Sequence, residues 1–206
     1  MAIALAAICG YLLGSLPVGL VVGRLARGVD VREYGSGKTG FTNTLRVLGL
    51  RRSLPVFVGD FGKGLAAALL PLTYTDDPWA RAAGGLAAIV GHVWPVFAGF
   101  RGGRGVLTGA GVLVAMNPLA VAAIAPVAIA VMAVTRYMSV TSITACTAAA
   151  VLFPALAAAG LQPWPYAVTA VAGALLIIVL HRANIARLRS GVEPKIGRGG
   201  ERRSPA

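Results

Sequence analysis

VLTGAGVLVAMNPLAVAAIAPVAIAVMAVT, residues 106–135, runs for 30 positions without a charged side chain. A membrane-spanning helix needs about 20 mainly apolar residues, so the run is too long for one straight span and too short for two full ones. Asn117-Pro118 and Pro126 interrupt it, and a proline removes a backbone donor and bends a helix. Basic residues border both ends, Arg101 and Arg104 before it and Arg136 after it. Lys and Arg gather on one side of a polytopic membrane protein. Both ends of the run are therefore expected on the same side, joined by a hairpin that turns near Asn117-Pro118.

Working outward, further apolar stretches cover about 2–23, 54–73, 79–98, 141–159 and 165–183, with the second arm of the hairpin at about 119–135. The segments between them sort by charge. Arg24, Arg27, Arg32, Lys38, Arg46, Arg51 and Arg52 follow the first stretch, and Arg182, Arg187, Arg189, Lys195, Arg198, Arg202 and Arg203 follow the last. If these and the hairpin's flanks are cytoplasmic, the exceptions are Lys63, within a span, and Arg81, in an outer loop beside Asp76 and Asp77. The expectation is an all-α polytopic bundle of seven membrane segments, N-terminus outside and C-terminus inside. The segment 106–116 is short or re-entrant, which is tolerated only where it is buried in protein. Residues 1–194 form one membrane domain. Residues 195–206, polar, Gly-rich and basic, form a disordered tail against the anionic inner leaflet.

Composition agrees. Of 206 residues, 57% are hydrophobic and 13% charged, with mean hydropathy +0.76, far from the ~25% charge of a soluble domain. Nineteen Lys plus Arg oppose seven Asp plus Glu, net +12; a nucleic-acid binder needs the charge but not the apolar surface. Cys9 and Cys146 lie in apolar stretches and read as buried packing residues rather than a disulfide or metal site. The apolar run from Met1 has no basic leader or evident cleavage site, which favours a retained helix over a signal peptide.

The polar residues collect at the expected cytoplasmic ends of the spans. Residues 32–46 read REYGSGKTGFTNTLR, 60–64 DFGKG, 91–92 GH, 100–108 FRGGRGVLT, 136–142 RYMSVTS and 181–185 HRANI. Glycines let backbone N–H groups converge on one anion, and Arg or Lys adds charge. Gly35-Ser36-Gly37 and Gly102-Gly103 are therefore read as phosphate-binding turns. The pairs Gly10/Gly14, Gly19/Gly23 and Gly105/Gly109 are read as small-xxx-small helix packing. Gly35-Ser36-Gly37-Lys38-Thr39 looks like the end of a nucleotide-binding P-loop, but Arg32 stands where the pattern needs its first glycine. Asp60 and Lys63 are three apart and share a helix face, as do His181 and Asn184. We read Lys63 as the better substrate contact of its pair, His181 with Asn184 as a binding or proton-handling pair, and His92 as structural. Neither a Ser-His-Asp order nor a metal-ligand cluster is defensible, and no His-x4-Asp signature occurs.

In order, Gly14-Ser15-Leu16-Pro17-Val18-Gly19, Gly35 through Arg46, Asp60 through Gly64, Gly91-His92-Val93-Trp94-Pro95, Phe100 through Thr108, Arg136-Tyr137-Met138-Ser139 and His181 through Leu188 resemble the bacterial acyl-phosphate:glycerol-3-phosphate acyltransferases, the PlsY family, over about residues 10–196. Each motif alone is weak; the ordered set is specific. Departures are Lys38 where the family usually has Asn, Arg104 for Lys, Leu107 for Ala and Leu180 for Arg. The resemblance implies a seven-helix enzyme of the bacterial inner membrane. It moves an acyl chain from acyl-phosphate to the 1-hydroxyl of glycerol-3-phosphate, giving lysophosphatidic acid and phosphate in phospholipid synthesis. No cofactor, nucleotide or nucleic acid is involved, and membrane lipid is the surroundings.

On this reading Ser36, Gly37, Thr42 and Asn43 form a phosphate cradle together with the Gly102-Gly103 turn. Arg46, Lys63 and Arg104 clamp the two substrates' charge, while Ser142 (or Ser139), His181 and Asn184 orient glycerol-3-phosphate. Which loop holds which phosphate stays open. Acyl-phosphate is an activated anhydride, so proximity can supply much of the rate. Direct transfer without an acyl-enzyme is expected, with the departing phosphate or His181 taking the hydroxyl proton. Two other classes need the same basic loops: a transporter of a small phosphorylated anion, which would favour internal repeats and a midplane site, and a non-catalytic scaffold.

Overall fold

The computed structural model describes residues 1–203, which contain helices and turns but no strand. The helices are α1 (Ala2–Gly14), α2 (Val18–Arg27), α3 (Phe41–Leu48), α4 (Leu50–Leu69), α5 (Pro78–Val93), α6 (Val106–Met116), α7 (Pro118–Thr135), α8 (Met138–Ala158), α9 (Trp164–Leu180) and α10 (Arg182–Arg189).

By length and composition four segments can cross a membrane: Ala2–Arg27, Leu50–Thr73, Pro118–Thr135 and Met138–Ala158. A fifth does so if α9 and α10, bent by 53°, count as one. Seven full crossings are thus more than length and apolarity support: α5 has 16 residues and α6 only 11, the latter about 16 Å at 1.5 Å per residue against a core of about 30 Å. The short hairpin arm at 106–116 is as expected.

Prolines account for the main departures from the expected spans. The stretch 2–23 is not one helix, because Pro17 ends it and α2 restarts at Val18; a residue before proline avoids the helical region. Pro126, expected as a break, lies inside a continuous α7. The turn at Asn117 is real: its side chain accepts from Ala120 N at 3.0 Å, capping α7, and donates to Gln162 Oε1 at 2.8 Å. Arg81 lies in the first turn of α5, not in a loop. It ties α4, α6 and α9 through Ala68 O, Ala115 O and the Tyr166 hydroxyl.

Backbone-close glycine contacts assemble the bundle. A Cβ on Gly10 or Gly14 would collide with the backbone of Gly84 or Ala88, so α1 lies directly on α5. Gly64 and Gly111 make the equivalent approach between α4 and α6, against Thr108 and Phe61. The Gly19/Gly23 stripe instead packs on the loop at Thr39 and on Val29 and Val31, and Gly109 meets only the side chains of Ile89 and Ile177. Phe153, Val112 and Ile89 centre the remaining core of α5–α9. Gly84→Leu is expected to destabilise the purified protein by about 1–3 kcal/mol through overpacking, read as a fall in melting temperature in detergent; an unchanged value would mean α1 and α5 part at no cost.

The chain order places every basic residue except Lys63 and Arg81 toward one end of the bundle. Residues 195–203 cross that end with three backbone bonds to the bundle. Ile196 N donates to Arg136 O at 2.8 Å, Gly35 N to Glu201 O at 2.9 Å and Arg203 N to Glu33 O at 2.8 Å. The tail expectation for residues 204–206 lies outside the described residues.

Candidate active site

At the basic end, the first turns of α3, α6, α8 and α10 converge on a cleft of about 130 Å³. Its walls are Gly40, Phe41 and Thr42 of α3, Gly105 to Leu107 of α6, Met138, Ser139 and Ser142 of α8, and His181 with Asn184 of α10. First-turn N–H groups have no intrahelical partner and carry the positive end of the helix dipole. Arg46, Arg104 and Lys38 add full charges to the same walls, so the cleft is built to receive anions.

Of the sequence-expected site residues, Ser36, Thr42, Asn43, Arg46, Arg104, Ser139, Ser142, His181 and Asn184 meet in this cleft, whereas Gly37, Lys63, Gly102 and Gly103 are not among its lining residues. The glycine turns have other work. Gly37 N donates to Tyr34 O at 2.9 Å, Gly102 N to Val93 O at 3.2 Å and Gly103 N to His92 O at 3.1 Å. A Cβ on Gly102 or Gly103 would strike His92, so these glycines dock their loop on the end of α5. Asn43 is a loop clamp: its amide nitrogen is shared among Val31 O, Tyr34 O and Lys38 O, and its Oδ1 accepts from Ser36 N at 2.8 Å. Lys63 pairs with Asp60 at 2.9 Å and donates to Leu16 O at 2.9 Å, a carbonyl at the Pro17 break that also accepts from Val18 N. His92 packs against Asp60, Nδ1 3.5 Å from Oδ1.

Other polar atoms at this end of the bundle lack partners. Arg46 Nε, Arg104 Nε, Thr108 Oγ1 and Asn184 Oδ1 are buried without a hydrogen-bond partner. An unmet buried polar atom is costly, and three of these residues, Arg46, Arg104 and Asn184, line the cleft, which marks it as a candidate binding site. Burial lowers the Arg104 guanidinium to about 10, with Arg187 and Arg46 lowering it further and Glu193 opposing them. Burial likewise lowers Arg46 and, with neighbouring arginines, Lys38. His181, 2% exposed, has Nδ1 2.8 Å from Ile177 O. A carbonyl only accepts, so Nδ1 carries the proton and Nε2 holds the lone pair, an assignment made from the hydrogen-bond pattern. Ser142 Oγ donates to Met138 O at 2.7 Å, and Ser139 Oγ to Glu193 Oε1 at 2.8 Å.

Glu193 is the cleft residue that the sequence reading passed over. Its signal is weak but present: it is the one carboxylate between Arg182 and Gly200, a stretch otherwise basic. Among the described residues no three His, Cys, Asp or Glu side chains gather to hold a metal ion.

A second, apolar cavity of about 100 Å³ lies between α6, α7, α8 and α9. It shares Val106 with the cleft and continues along the same helices past Gly109, Cys146, Ala149 and Ile177.

Comparison with known proteins places these features in context. The family model described as glycerol-3-phosphate acyltransferase matches residues 4–191. A glycerol-3-phosphate acyltransferase of Halalkalibacterium halodurans is 42% identical over 190 residues, covering 91% of this chain and 92% of its own length. One from a Synechococcus strain is 40% identical, covering 93% and 94%. Crystal structures of PlsY, an integral membrane glycerol 3-phosphate acyltransferase, are similar throughout. Its glycerol 3-phosphate form has a TM-score of 0.86 at 39% identity, covering 96% of both chains. Its lysophosphatidic acid form has 0.83 at 38%, covering 95% of both.

Proposed function

This chain belongs to the glycerol-3-phosphate acyltransferase family, and from that premise we propose that it transfers an acyl group from acyl-phosphate to the 1-hydroxyl of glycerol-3-phosphate, releasing lysophosphatidic acid and inorganic phosphate. One observation carries the reading: an anion-receiving cleft at the basic end of a membrane bundle adjoins an apolar cavity, the two sharing Val106. A phosphorylated polyol and a phosphate with a fatty tail fit that pairing.

The anions lie against the first turns of α3 and α6, with Arg46 and Arg104 as clamps and the Ser36 and Thr42 hydroxyls within the same walls. The fatty chain runs into the apolar cavity. The 1-hydroxyl oxygen attacks the acyl carbonyl carbon, the carbonyl–phosphate C–O bond breaks, and phosphate leaves. The hydroxyl proton passes to that phosphate, with His181 Nε2 accepting the hydroxyl's hydrogen bond only as attack begins. The Ser139 and Ser142 hydroxyls already donate elsewhere in their ground state, which supports direct transfer over an acyl-serine.

The basic end is assigned to the cytoplasmic face of a bacterial inner membrane by the positive-inside tendency, with the N-terminus outside. A transporter of phosphorylated anions would share the basic mouth, but a fatty-chain cavity is no use to it. Purified protein given palmitoyl-phosphate and glycerol-3-phosphate is expected to release phosphate and lysophosphatidic acid in equal amounts. In sealed vesicles both substrates must reach the basic end. Flux of glycerol-3-phosphate across liposomes without acyl transfer would replace this reading with the transporter, and neither activity would leave the scaffold.

A further inference from the structure

Glu193 arrives at the cleft by a chain reversal. α10 ends at Arg189, and Gly191 adopts φ +74°, a left-handed conformation that glycine takes without a side-chain penalty. Gly191 N bonds to Leu188 O at 3.2 Å and Val192 N to Arg187 O at 2.9 Å, turning the chain back along the helix. The side chain, 2% exposed, then accepts from Asn184 Nδ2 at 2.6 Å and Ser139 Oγ at 2.8 Å through Oε1, and from Arg187 Nε at 2.8 Å through Oε2.

An ionised carboxylate only accepts hydrogen bonds. Contact with Glu193 therefore fixes which end of the Asn184 amide points where: Nδ2 to Glu193, and Oδ1 left buried and unpartnered. That orientation matters because the rest of the cleft offers mostly donors, namely Arg46, Arg104 and the helix first turns. Donors suit phosphate; a hydroxyl that is to attack must have its hydrogen accepted. Burial pushes the Glu193 carboxyl up, but hydrogen bonds from Asn184, Ser139 and Arg187 outweigh it and hold the group below its usual value, which keeps it an acceptor.

We propose that Glu193 is a positioning residue that turns Asn184 Oδ1 into the acceptor for the acyl-accepting hydroxyl of the phosphorylated polyol in the bound ground state, before His181 Nε2 takes over that hydrogen during attack. The inference rests on the function proposed above for the identity of the polyol. It predicts discrimination rather than general affinity, a readout that simple anchoring of the chain after α10 would not move.

The test measures binding of sn-glycerol 3-phosphate and of 2-hydroxypropyl phosphate, which lacks the 1-hydroxyl, to the purified full chain. Wild type is expected to prefer the first by about tenfold, the size of one net hydrogen bond of about 1.4 kcal/mol. Glu193→Gln lets the Asn184 amide turn over and is expected to bring the ratio to about one while affinity for 2-hydroxypropyl phosphate stays constant. In an Asn184→Ala background Glu193→Gln should change nothing further, because the two act as a unit. Should Glu193→Gln fail to fold, Glu193→Asp, whose shorter arm withdraws from Asn184, carries the same expectation. Equal weakening of both ligands, effects that multiply in the double variant, or a wild type without preference would each overturn the proposal. A wild type that discriminates but forms no lysophosphatidic acid from acyl-phosphate would refute the donor assignment and leave Glu193 in its place.

Discussion

Arg104→Ala is expected to lower kcat/KM for glycerol-3-phosphate by about 10²–10³-fold while raising, not lowering, the melting temperature of the ligand-free protein. The first figure follows from truncating one partner of a desolvated, hydrogen-bonded charge pair, about 2–5 kcal/mol, at 1.36 kcal/mol per tenfold. The second follows from the ligand-free cleft. Arg104 Nε is buried without a partner, and burial, then Arg187 and Arg46, bring the guanidinium down to about 10 against the opposing charge of Glu193. A cation whose folded value lies below its unfolded one costs the folded state stability. That cost is complete below about pH 10 and fades as pH rises toward the ordinary arginine value. At neutral pH alanine removes the whole of it. Arg104→Lys keeps the charge but loses the planar fork and should retain activity to within about tenfold, since one hydrogen bond is at stake. Melting curves with and without glycerol-3-phosphate check both halves, the ligand-induced rise disappearing in Arg104→Ala. Wild-type kcat/KM in that variant would remove Arg104 from the substrate clamp.

The contrast between Arg104 and Lys63 marks what the sequence made legible. Both are basic residues beside glycines at a membrane end, and both read as clamps. Arg104 reaches the cleft because it immediately precedes the first turn of α6. Lys63 does not, because Pro17 breaks the first span and exposes Leu16 O, which takes the ammonium. Counting apolar residues in a window hides that break, just as it overstates Pro126, whose lost hydrogen bond the surrounding α7 absorbs. The gathering of basic residues at one end of the bundle was readable, since charge is a sum over loops and survives errors at helix ends. The glycine turns are ambiguous in sequence for a physical reason: a turn that frees amides for phosphate and one that lets two backbones touch use the same residue. Gly102 and Gly103 are of the second kind, their amides spent on Val93 O and His92 O. The helix first turns that face the cleft needed the three-dimensional convergence of α3, α6, α8 and α10. Asn43 and Glu193 share that limit, because what a buried polar side chain holds depends on partners remote from its own motif.

His181→Ala is expected to reduce kcat by about 10²-fold, at the low end of the range for a proton-handling side chain, with KM for glycerol-3-phosphate changed by less than about threefold. The split follows from the cleft's division of labour. On the proposed function, phosphate affinity comes from Arg46, Arg104 and the helix first turns, none of which His181 supports, so ground-state binding is expected to survive its loss. What disappears is the Nε2 lone pair, aligned through the Nδ1 bond to Ile177 O at 2.8 Å and available to the hydroxyl during attack. Because the leaving phosphate can take the proton, the histidine aligns the nucleophile without having to hold a full positive charge beside Arg104. The pH–rate profile of His181→Ala should then keep the same limbs as wild type at a lower plateau. Loss of a limb would make His181 the general base. An acyl adduct on Ser36 or Ser142, sought by mass spectrometry of protein quenched during turnover, would replace direct transfer with a two-step route, in which the histidine would have to activate a serine rather than the substrate.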